Sequence, residues 1–191
     1  MYKIIKRAGD MFLSLIGLIV LSPLFLLLAV LIKLDSEGTV FFQQKRVGIN
    51  KIHFHIYKFR TMYTETPANM PTHMLKNADV HITKMGKFLR RTSLDELPQL
   101  LNILRGDMAI IGPRPALWNQ YDLIEERDKY NANDIRPGLT GWAQIHGRDE
   151  LLIPLKAQLD GVYAKKIGLV IDLNIFIRTV VITISGKGFT S

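Results

Sequence analysis

An uncharged apolar segment occupies residues 11–32, near the N-terminus of this chain. As one straight helix it would extend roughly 33 Å, about the thickness of the hydrocarbon core of a bilayer. Pro23 stands in its middle, where it removes a backbone donor and disfavours helical geometry at Ser22. The pattern therefore predicts a membrane helix that breaks at Ser22 and Pro23, with the Ser22 hydroxyl bonded back to the carbonyl of Leu18 or Ile19.

Basic residues on both sides of this segment bear on its orientation. They are Lys3, Lys6 and Arg7 before it and Lys33, Lys45 and Arg46 after it. The positive-inside rule places both flanks on the cytoplasmic side, which a helix that enters and leaves by the same leaflet satisfies. We favour such a re-entrant helix-break-helix over residues 1–34, although a single proline-kinked span fits the residues about equally well. A cleaved signal peptide is disfavoured, because the apolar stretch exceeds the usual length and no cleavage site follows it.

Composition narrows the classes of chemistry. The 191 residues suffice for one compact domain with an appended membrane element, so a single active site is expected. The formal net charge of +8 favours partners that carry phosphate, whether anionic lipid, nucleotide or nucleic acid. The chain contains no cysteine, which excludes disulfides, a thiolate nucleophile and a metal site built from cysteines.

Beyond the apolar segment, the mixed and polar composition predicts a soluble domain over residues 35–191 with an α+β fold. A β-hairpin is predicted from the β-branched and aromatic runs at 39–43 and 53–62, which surround a turn at 48–50. Residues 63–79 contain two prolines and no periodicity, which predicts a surface loop.

The second half of the chain alternates between helical and extended patterns. Leucines at helical spacing predict a helix that ends at Gly106, followed by a buried strand at 108–111 and a further helix at 116–130. The sequence Arg136-Pro137-Gly138 predicts a turn. Residues 167–184 are apolar but are interrupted by charged and polar side chains, so we expect them to lie in the membrane interface or against the core.

Two adjacent carboxylates, Asp95 and Glu96, follow two arginines at the predicted entry of a helix. Ser93 with Glu96 three residues later also forms the pattern of a capping box, a purely structural role. The functional alternative is that one carboxylate attacks a phosphorus atom while the other holds Mg²⁺. Read locally, the residues favour the capping role.

Two further basic sites are candidates for binding phosphate. Pro113 and Pro115 stiffen the backbone around Arg114, and a rigid guanidinium suits bidentate binding of phosphate, although a solvated arginine in an ordinary loop is an equal alternative. Lys58 and Arg60 alternate onto one face of a predicted strand, where a solvated surface is the default interpretation.

Taken together and in this order, the motifs resemble those of the small monotopic phosphoglycosyl transferases, the bacterial sugar transferase family. The resemblance covers nearly the whole chain and is carried by five motifs: SP at 22–23, KFRTM at 58–62, RRTSLDELPQ at 90–99, GPRP at 112–115 and RPGLTGWAQ at 136–144. It implies a small compact catalytic domain with an N-terminal re-entrant membrane helix and interfacial helices. Two positions depart from the family pattern: His146 and Asp149 stand in place of asparagines common in relatives.

The resemblance also implies roles for individual residues. Asp95 would be the nucleophile, and Glu96 would help it to hold Mg²⁺. The basic side chains would bind the phosphates and the substrate: Lys58, Arg60, Arg90, Arg114, Arg136 and Arg148. The larger relatives carry further spanning helices and a preceding domain, so we expect this chain to be the minimal catalytic unit.

The expected reaction transfers a sugar 1-phosphate from a UDP-sugar to a polyprenyl phosphate such as undecaprenyl phosphate and releases UMP. It would initiate the assembly of capsule, exopolysaccharide or other glycoconjugates at the cytoplasmic face of the bacterial inner membrane. Partners would be the two substrates and membrane lipid, with a homodimer possible. The alternative is a non-catalytic basic module that binds anionic lipid, whereas a nucleic-acid binder has no motif to support it.

Overall fold

In the computed structural model, which describes residues 1–67, 77–147 and 151–185, the N-terminal apolar segment forms two helices. Helix α1 spans Tyr2–Val20, and helix α2 spans Ser22–Asp35 at an angle of 61° to it. The Ser22 hydroxyl donates to the carbonyl of Ile19 at 2.8 Å. Pro23 lies in the first turn of α2, where its missing N–H leaves no bond unmade. The predicted break and the predicted serine hydrogen bond are confirmed.

Within the described residues, no single helix has both the length and the apolar character needed to cross a membrane. Helices α1 and α2 reach that threshold only as a bent pair. Much of their apolar surface is exposed, for example at Phe12 and Leu26. On the inner side, Leu28 and Ile32 pack with Phe59 in a buried cluster, which attaches α2 to the rest of the chain.

A two-stranded antiparallel hairpin follows the helices. Strand β1 spans Phe41–Val47 and strand β2 spans His53–Phe59, joined by a turn in which Asn50 has a positive φ of 53°. The predicted hairpin is confirmed, but its first strand begins later and runs longer than the pattern indicated. Of the predicted loop at 63–79, residues 68–76 lie outside the described residues, and a short 3-10 helix forms at Ala78–His81.

The middle of the chain forms two helices with a 3-10 helix between them. Helix α3 spans Lys84–Thr92, the 3-10 helix spans Leu94–Gln99, and α4 spans Leu100–Arg105. Helix α4 ends as predicted at Gly106, whose φ of 103° is easily adopted only by glycine. Asn102 pins α4 to β2, since its side chain accepts a hydrogen bond from the backbone N–H of Tyr57 and donates to the carbonyl of His55.

Strands β3 (Ala109–Ile111) and β4 (Gly138–Thr140) form a small parallel sheet. The predicted strand at 108–111 is confirmed, whereas the predicted turn at 136–138 is wrong. Gly138 instead begins β4, and its N–H donates to the carbonyl of Pro113 at 2.8 Å. The two backbones approach so closely that a Cβ on Gly138 would lie 2.1 Å from the nitrogen of Gly112, so this pairing requires glycine.

Helix α5 spans Tyr121–Asp128, which is shorter than the predicted helix at 116–130. Residues 116 and 117 are not helical, because they hydrogen-bond alongside β1: the N–H of Val47 donates to the carbonyl of Ala116, and Arg46 forms a bridge with Leu117. Tertiary pairing therefore outweighs the local helical pattern at these positions.

The last two helices of the described residues are α6 at Ile153–Lys166 and α7 at Leu169–Ser185. Helix α7 packs one side against the core through Ile175 and Asp172, and the hydroxyl of Tyr163 donates to Asp172 at 2.8 Å. Its outer side exposes apolar residues such as Val170 and Phe176. The expectation that this segment lies against the core is thus confirmed for one side of the helix.

Candidate active site

Five charged side chains from four separate parts of the fold come together on one side of the 3-10 helix Leu94–Gln99. Asp95 and Glu96 lie on that helix itself. Three basic side chains face them: Lys58 from β2, Arg90 from α3 and Arg114 from the loop after β3. Three of these elements are separated by long stretches of sequence, so the cluster is a product of tertiary folding.

The backbone around Ser93 explains how the two carboxylates reach this position. Ser93 adopts a left-handed conformation with a φ of 57°, which ends α3 and turns the chain into the 3-10 helix. Its side chain makes no capping hydrogen bond, so the capping box predicted for Ser93 and Glu96 is wrong. A non-glycine residue in this conformation stores strain that is commonly found next to functional residues.

Glu96 is held by two cations on a single oxygen. Its Oε1 lies 2.7 Å from Nζ of Lys58 and 2.8 Å from Nη2 of Arg114. Burial alone would raise the pKa of Glu96, but the positive charges and hydrogen bonds of Arg114 and Lys58 outweigh it and hold that pKa well below its usual range. Glu96 is therefore ionised at neutral pH.

Asp95 has a different environment although it is the next residue. It is buried, with 8% of its surface exposed, and among the described residues its nearest cation is Lys58 at 3.6 Å. Burial raises the pKa of its carboxyl, and the negative charge of Glu96 raises it further, against the opposing effects of Lys58, Arg90 and Arg114. A carboxylate that is poorly stabilised and close to cations is suited to attack an electrophilic phosphorus atom.

Arg90 is fixed next to Asp95 by a hydrogen bond to the segment that follows β2. Its Nε donates to the hydroxyl of Thr61 at 3.0 Å. Gly86 lets α3 approach this closely, because a Cβ there would lie 2.0 Å from the carbonyl oxygen of Thr61. Burial lowers the pKa of the Arg90 guanidinium, and the charge of Asp95 partly offsets that effect, so the two groups interact electrostatically.

The loop that carries Arg114 is held through its backbone carbonyls. The carbonyl of Pro113 accepts from the N–H of Gly138, and that of Pro115 accepts from the guanidinium of Arg46 at 2.9 Å. The predicted stiffness from the two prolines is thus supplemented by hydrogen bonds from β1 and β4.

Two of the other predicted phosphate-binding residues, Arg60 and Arg136, do not join this cluster. Arg60 is buried, and its guanidinium donates to the carbonyls of Ile32, Ser36 and Glu37, where it caps the C-terminus of α2. A helix C-terminus is a favourable place for a cation. Arg60 and Lys58 therefore do not share a phosphate-facing surface, because Arg60 binds the carbonyls at the end of α2 whereas Lys58 binds Glu96.

Arg136 lies at the far end of α4, where its Nε donates to the carbonyl of Gly106 at 3.0 Å. It lines a cavity of about 110 Å³ together with Lys3, Arg7 and Asp10, which is a different place from the carboxylate cluster. Arg148 and Asp149 lie outside the described residues. His146 bonds through Nδ1 to the carbonyl of Trp142.

Within the described residues, no group of three or more histidine, aspartate or glutamate side chains could enclose a metal ion. A magnesium ion needs no such enclosure, because it commonly uses one or two protein carboxylates together with the phosphates of its substrate. Asp95 and Glu96 are two carboxylates in adjacent positions, and magnesium binding by them stays a prediction.

Comparison with known proteins shows to which family this chain belongs. The family model described as bacterial sugar transferase matches residues 1–186. The chain belongs to the bacterial sugar transferase family. It is similar to the exopolysaccharide production protein PSS of Rhizobium leguminosarum bv. phaseoli, with 42% identity over 200 residues that cover 97% of this chain and 98% of that protein.

Two further relatives are longer. The undecaprenyl-phosphate glucose phosphotransferase of Komagataeibacter xylinus is 40% identical over 185 residues, and the UDP-N-acetylgalactosamine-undecaprenyl-phosphate N-acetylgalactosaminephosphotransferase of Aeromonas hydrophila is 38% identical over 192 residues. These matches cover 92% and 98% of this chain but only 35% and 45% of the relatives. This member of the bacterial sugar transferase family thus corresponds to less than half of each of those two proteins.

Sequence reasoning missed two residues that contact the arginines of the site: Thr61 at Arg90 and Arg127 at the backbone of Arg114. Thr61 accepts a hydrogen bond from Arg90. The family motif at 58–62 contains Thr61, so this motif could have drawn attention to it. Arg127 lies in the last turn of α5, where a basic residue is normally taken for a solvated cation near a helix end. No local signal distinguishes it from such a residue.

Proposed function

We propose that this chain transfers a sugar 1-phosphate from a UDP-sugar to undecaprenyl phosphate and releases UMP, through a covalent aspartyl phosphosugar. The names of its relatives support the substrates, since they refer to glucose or N-acetylgalactosamine phosphotransferases that act on undecaprenyl phosphate. The exopolysaccharide names of two other relatives support a role at the start of polysaccharide assembly.

One observation carries the proposal: two adjacent carboxylates lie in different environments, which shift their pKa values in opposite directions. Glu96 is stabilised as an anion by Lys58 and Arg114, whereas Asp95 is buried and destabilised as an anion. Paired titratable groups with pKa values shifted in opposite directions are typical of active sites in which each group has its own role. A residue that only capped a helix would need neither the burial nor the three cations.

In the first step, a carboxylate oxygen of Asp95 attacks the phosphorus that carries the sugar. The new bond joins this oxygen to phosphorus, and the bond between that phosphorus and the bridging oxygen of the diphosphate breaks, so UMP leaves with the electron pair. Lys58, Arg90 and Arg114 surround the reacting carboxylate, where they would neutralise the charge that develops on the phosphates.

In the second step, an oxygen of the polyprenyl phosphate attacks the same phosphorus. The bond to Asp95 breaks, which regenerates the carboxylate and forms a polyprenyl diphosphate sugar. Asp95 is a carboxylate again at the end, so the two displacements balance without a further reactant.

Asp95 and Glu96 would hold Mg²⁺ together with the donor diphosphate. When bound, this ion supplies neutralisation of the diphosphate charge that otherwise repels a carboxylate nucleophile. Lys58 and Arg114 both bind Oε1 of Glu96, so Glu96 would either offer Mg²⁺ its other oxygen or exchange these contacts, which would leave the two cations available to phosphate.

We further propose that the chain is monotopic and acts at the cytoplasmic face of the inner membrane, with residues 1–34 as a re-entrant element. The exposed apolar residues of α1, α2 and α7 support contact with lipid. The acceptor carries its phosphate at the level of the lipid headgroups, which favours a catalytic site held at that height. A non-catalytic lipid-binding module would also expose apolar helices, but it leaves the Asp95 and Glu96 cluster without a purpose.

The decisive experiment incubates the purified full chain with Mg²⁺ and UDP-glucose or UDP-N-acetylgalactosamine, with and without undecaprenyl phosphate. With acceptor, UMP should accumulate over many turnovers. Without it, UMP should appear in a burst no larger than the enzyme concentration, and phosphosugar should remain attached to Asp95. No UMP with either donor would contradict transfer of these sugars, whereas turnover that requires both substrates at once would exclude the covalent step.

A further inference from the structure

We propose that Arg127, held by Asp160, is a positioning residue that fixes Arg114 for phosphate binding, an inference that rests on the proposed function. Arg127 lies on α5 and Asp160 on α6. The Nη2 atom of Arg127 donates to the backbone carbonyl of Arg114 at 3.0 Å. The same Nη2 lies 2.6 Å from Oδ2 of Asp160, and Nε of Arg127 lies 2.9 Å from that oxygen.

This ion pair lies almost entirely inside the protein. Arg127 is 4% exposed and Asp160 is 1% exposed. Two nitrogens of one guanidinium bind a single carboxylate oxygen, so the planar group has little freedom to rotate. The hydrogen bond to Arg114 therefore comes from a donor whose position is fixed by the packing of α5 on α6.

The position of this bond within the loop gives it its importance. The carbonyls of four consecutive residues, 113–116, each accept a hydrogen bond from outside the loop: from Gly138, Arg127, Arg46 and Val47 in that order. Pro113 and Pro115 have no N–H, so their only backbone hydrogen bonds are those that their carbonyls accept. Arg127 is the donor at Arg114 itself, the residue whose guanidinium reaches Glu96.

Loss of this donor should let the peptide unit after Arg114 rotate and displace the guanidinium. Shifts on the order of 1 Å at a bidentate phosphate clamp can reduce rates by about a hundredfold. A purely structural pair that joins α5 to α6 would instead affect stability without acting through Arg114. The two roles differ in whether the effect of Arg127 depends on Arg114.

The test replaces the buried pair by apolar residues, Arg127→Met with Asp160→Leu, since such exchanges commonly preserve stability. It is made in the wild-type chain and in an Arg114→Lys chain, and kcat/KM is measured with UDP-glucose and undecaprenyl phosphate below the Tm of each variant. We expect a loss of at least about tenfold in the wild-type background and less than about twofold in the Arg114→Lys background, because effects that share one residue do not add. Binding of UMP measured by calorimetry should follow the same pattern.

Tyr163→Phe provides the matched control. Tyr163 is also buried on α6, and its hydroxyl makes two hydrogen bonds, but they go to Ile111 and Asp172, away from Arg114. This variant should lose stability and keep kcat/KM within about twofold.

Equal losses in both backgrounds would overturn the proposal, as would full activity of the exchanged pair. If the exchanged pair does not fold, Asp160→Asn enters the same comparison, because it keeps an acceptor for Arg127 while loosening its hold; the expected loss is then about threefold, and a loss that persists in the Arg114→Lys chain would again refute the role. An inactive wild-type chain would contradict the proposed function, and UMP binding would still report on Arg127.

Discussion

The ammonium group of Lys58 lies 2.7 Å from Oε1 of Glu96, and this contact joins the hairpin to the 3-10 helix across 38 positions of sequence. Glu96 thereby binds Lys58, and it also binds Arg114. The proposed reaction needs both cations for the phosphates of the donor. The carboxylate should compete with a phosphate ligand for Lys58 and Arg114 whenever no metal draws it away.

This competition leads to a prediction about Glu96→Gln. The neutral amide should compete less for the two cations, so the variant should bind UMP in EDTA at least about fivefold more tightly than wild type, while its turnover with Mg²⁺ falls. Calorimetric titration of UMP without metal checks the first effect. Glu126→Gln, which removes the same charge from a surface ion pair, is the control and should bind like wild type. Equal metal-free binding by Glu96→Gln and wild type would argue against the competition.

A second prediction separates the activity of Asp95 from its contribution to stability. Asp95→Asn should abolish the burst of UMP and reduce kcat by at least about a thousandfold, because an amide is a poor nucleophile. Burial and Glu96 disfavour the ionised form of Asp95, so the same change should leave Tm unchanged or raise it. Asp128→Asn should instead lower Tm, because hydrogen bonds from Asn133 and Lys51 lower the pKa of Asp128 and thus favour its ionised form. Thermal unfolding at neutral pH compares the two, and a lower Tm for Asp95→Asn would contradict this account.

The third prediction concerns pH. Since the pKa of Asp95 is raised above the ordinary value of 3.8, the fraction ionised falls as the pH is lowered through that raised value, and kcat/KM should fall with it. The pKa of Glu96 is depressed below 4.5, so its ion pairs contribute stability above that value and lose it only when the pH falls through the depressed pKa. Activity should therefore decline at a higher pH than the stability that Glu96 provides. Rate and Tm measured between about pH 4 and 8 test this order, and a flat rate profile would count against ionised Asp95.

The fourth prediction distinguishes Arg60 from Arg90. Arg60→Gln removes the charged cap of α2 and should cost about 1–3 kcal/mol of unfolding free energy while leaving kcat/KM nearly unchanged. Arg90→Gln should reduce kcat/KM by at least about tenfold, because Arg90 lies beside Asp95. Denaturant titration and the UMP assay on both variants decide the matter. A large loss of activity in a fully folded Arg60→Gln chain would restore Arg60 to the phosphate site.

The fifth prediction tests the re-entrant arrangement. The chain has no cysteine, so Lys3→Cys and Ser36→Cys can each be labelled without background. In intact cells, a membrane-impermeant maleimide should reach neither position, because both flanks face the cytoplasm. Labelling of only one of them would indicate a single span. Pro23→Ala restores a backbone donor and should straighten the bend between α1 and α2, which would change the labelling.

Local sequence determined those features whose causes lie within a few residues. Pro23 removes one backbone donor and Ser22 supplies a nearby hydroxyl, and the helix breaks there. Gly106 ends α4 because a left-handed residue is needed at that position. The order of the motifs was likewise sufficient to indicate the family and to single out Asp95 and Glu96.

Only the tertiary structure decided which charged residues meet. In sequence, Arg60 and Lys58 look equivalent, yet Arg60 caps α2 and Lys58 binds Glu96, because different elements pack beside the two side chains. Arg127 resembles a solvated cation until α6 brings Asp160 against it and seals both from water. The pKa values of Asp95 and Glu96 diverge for the same reason: burial and the placement of distant cations set the electrostatic energy of a carboxylate, and neither is encoded in its immediate neighbours.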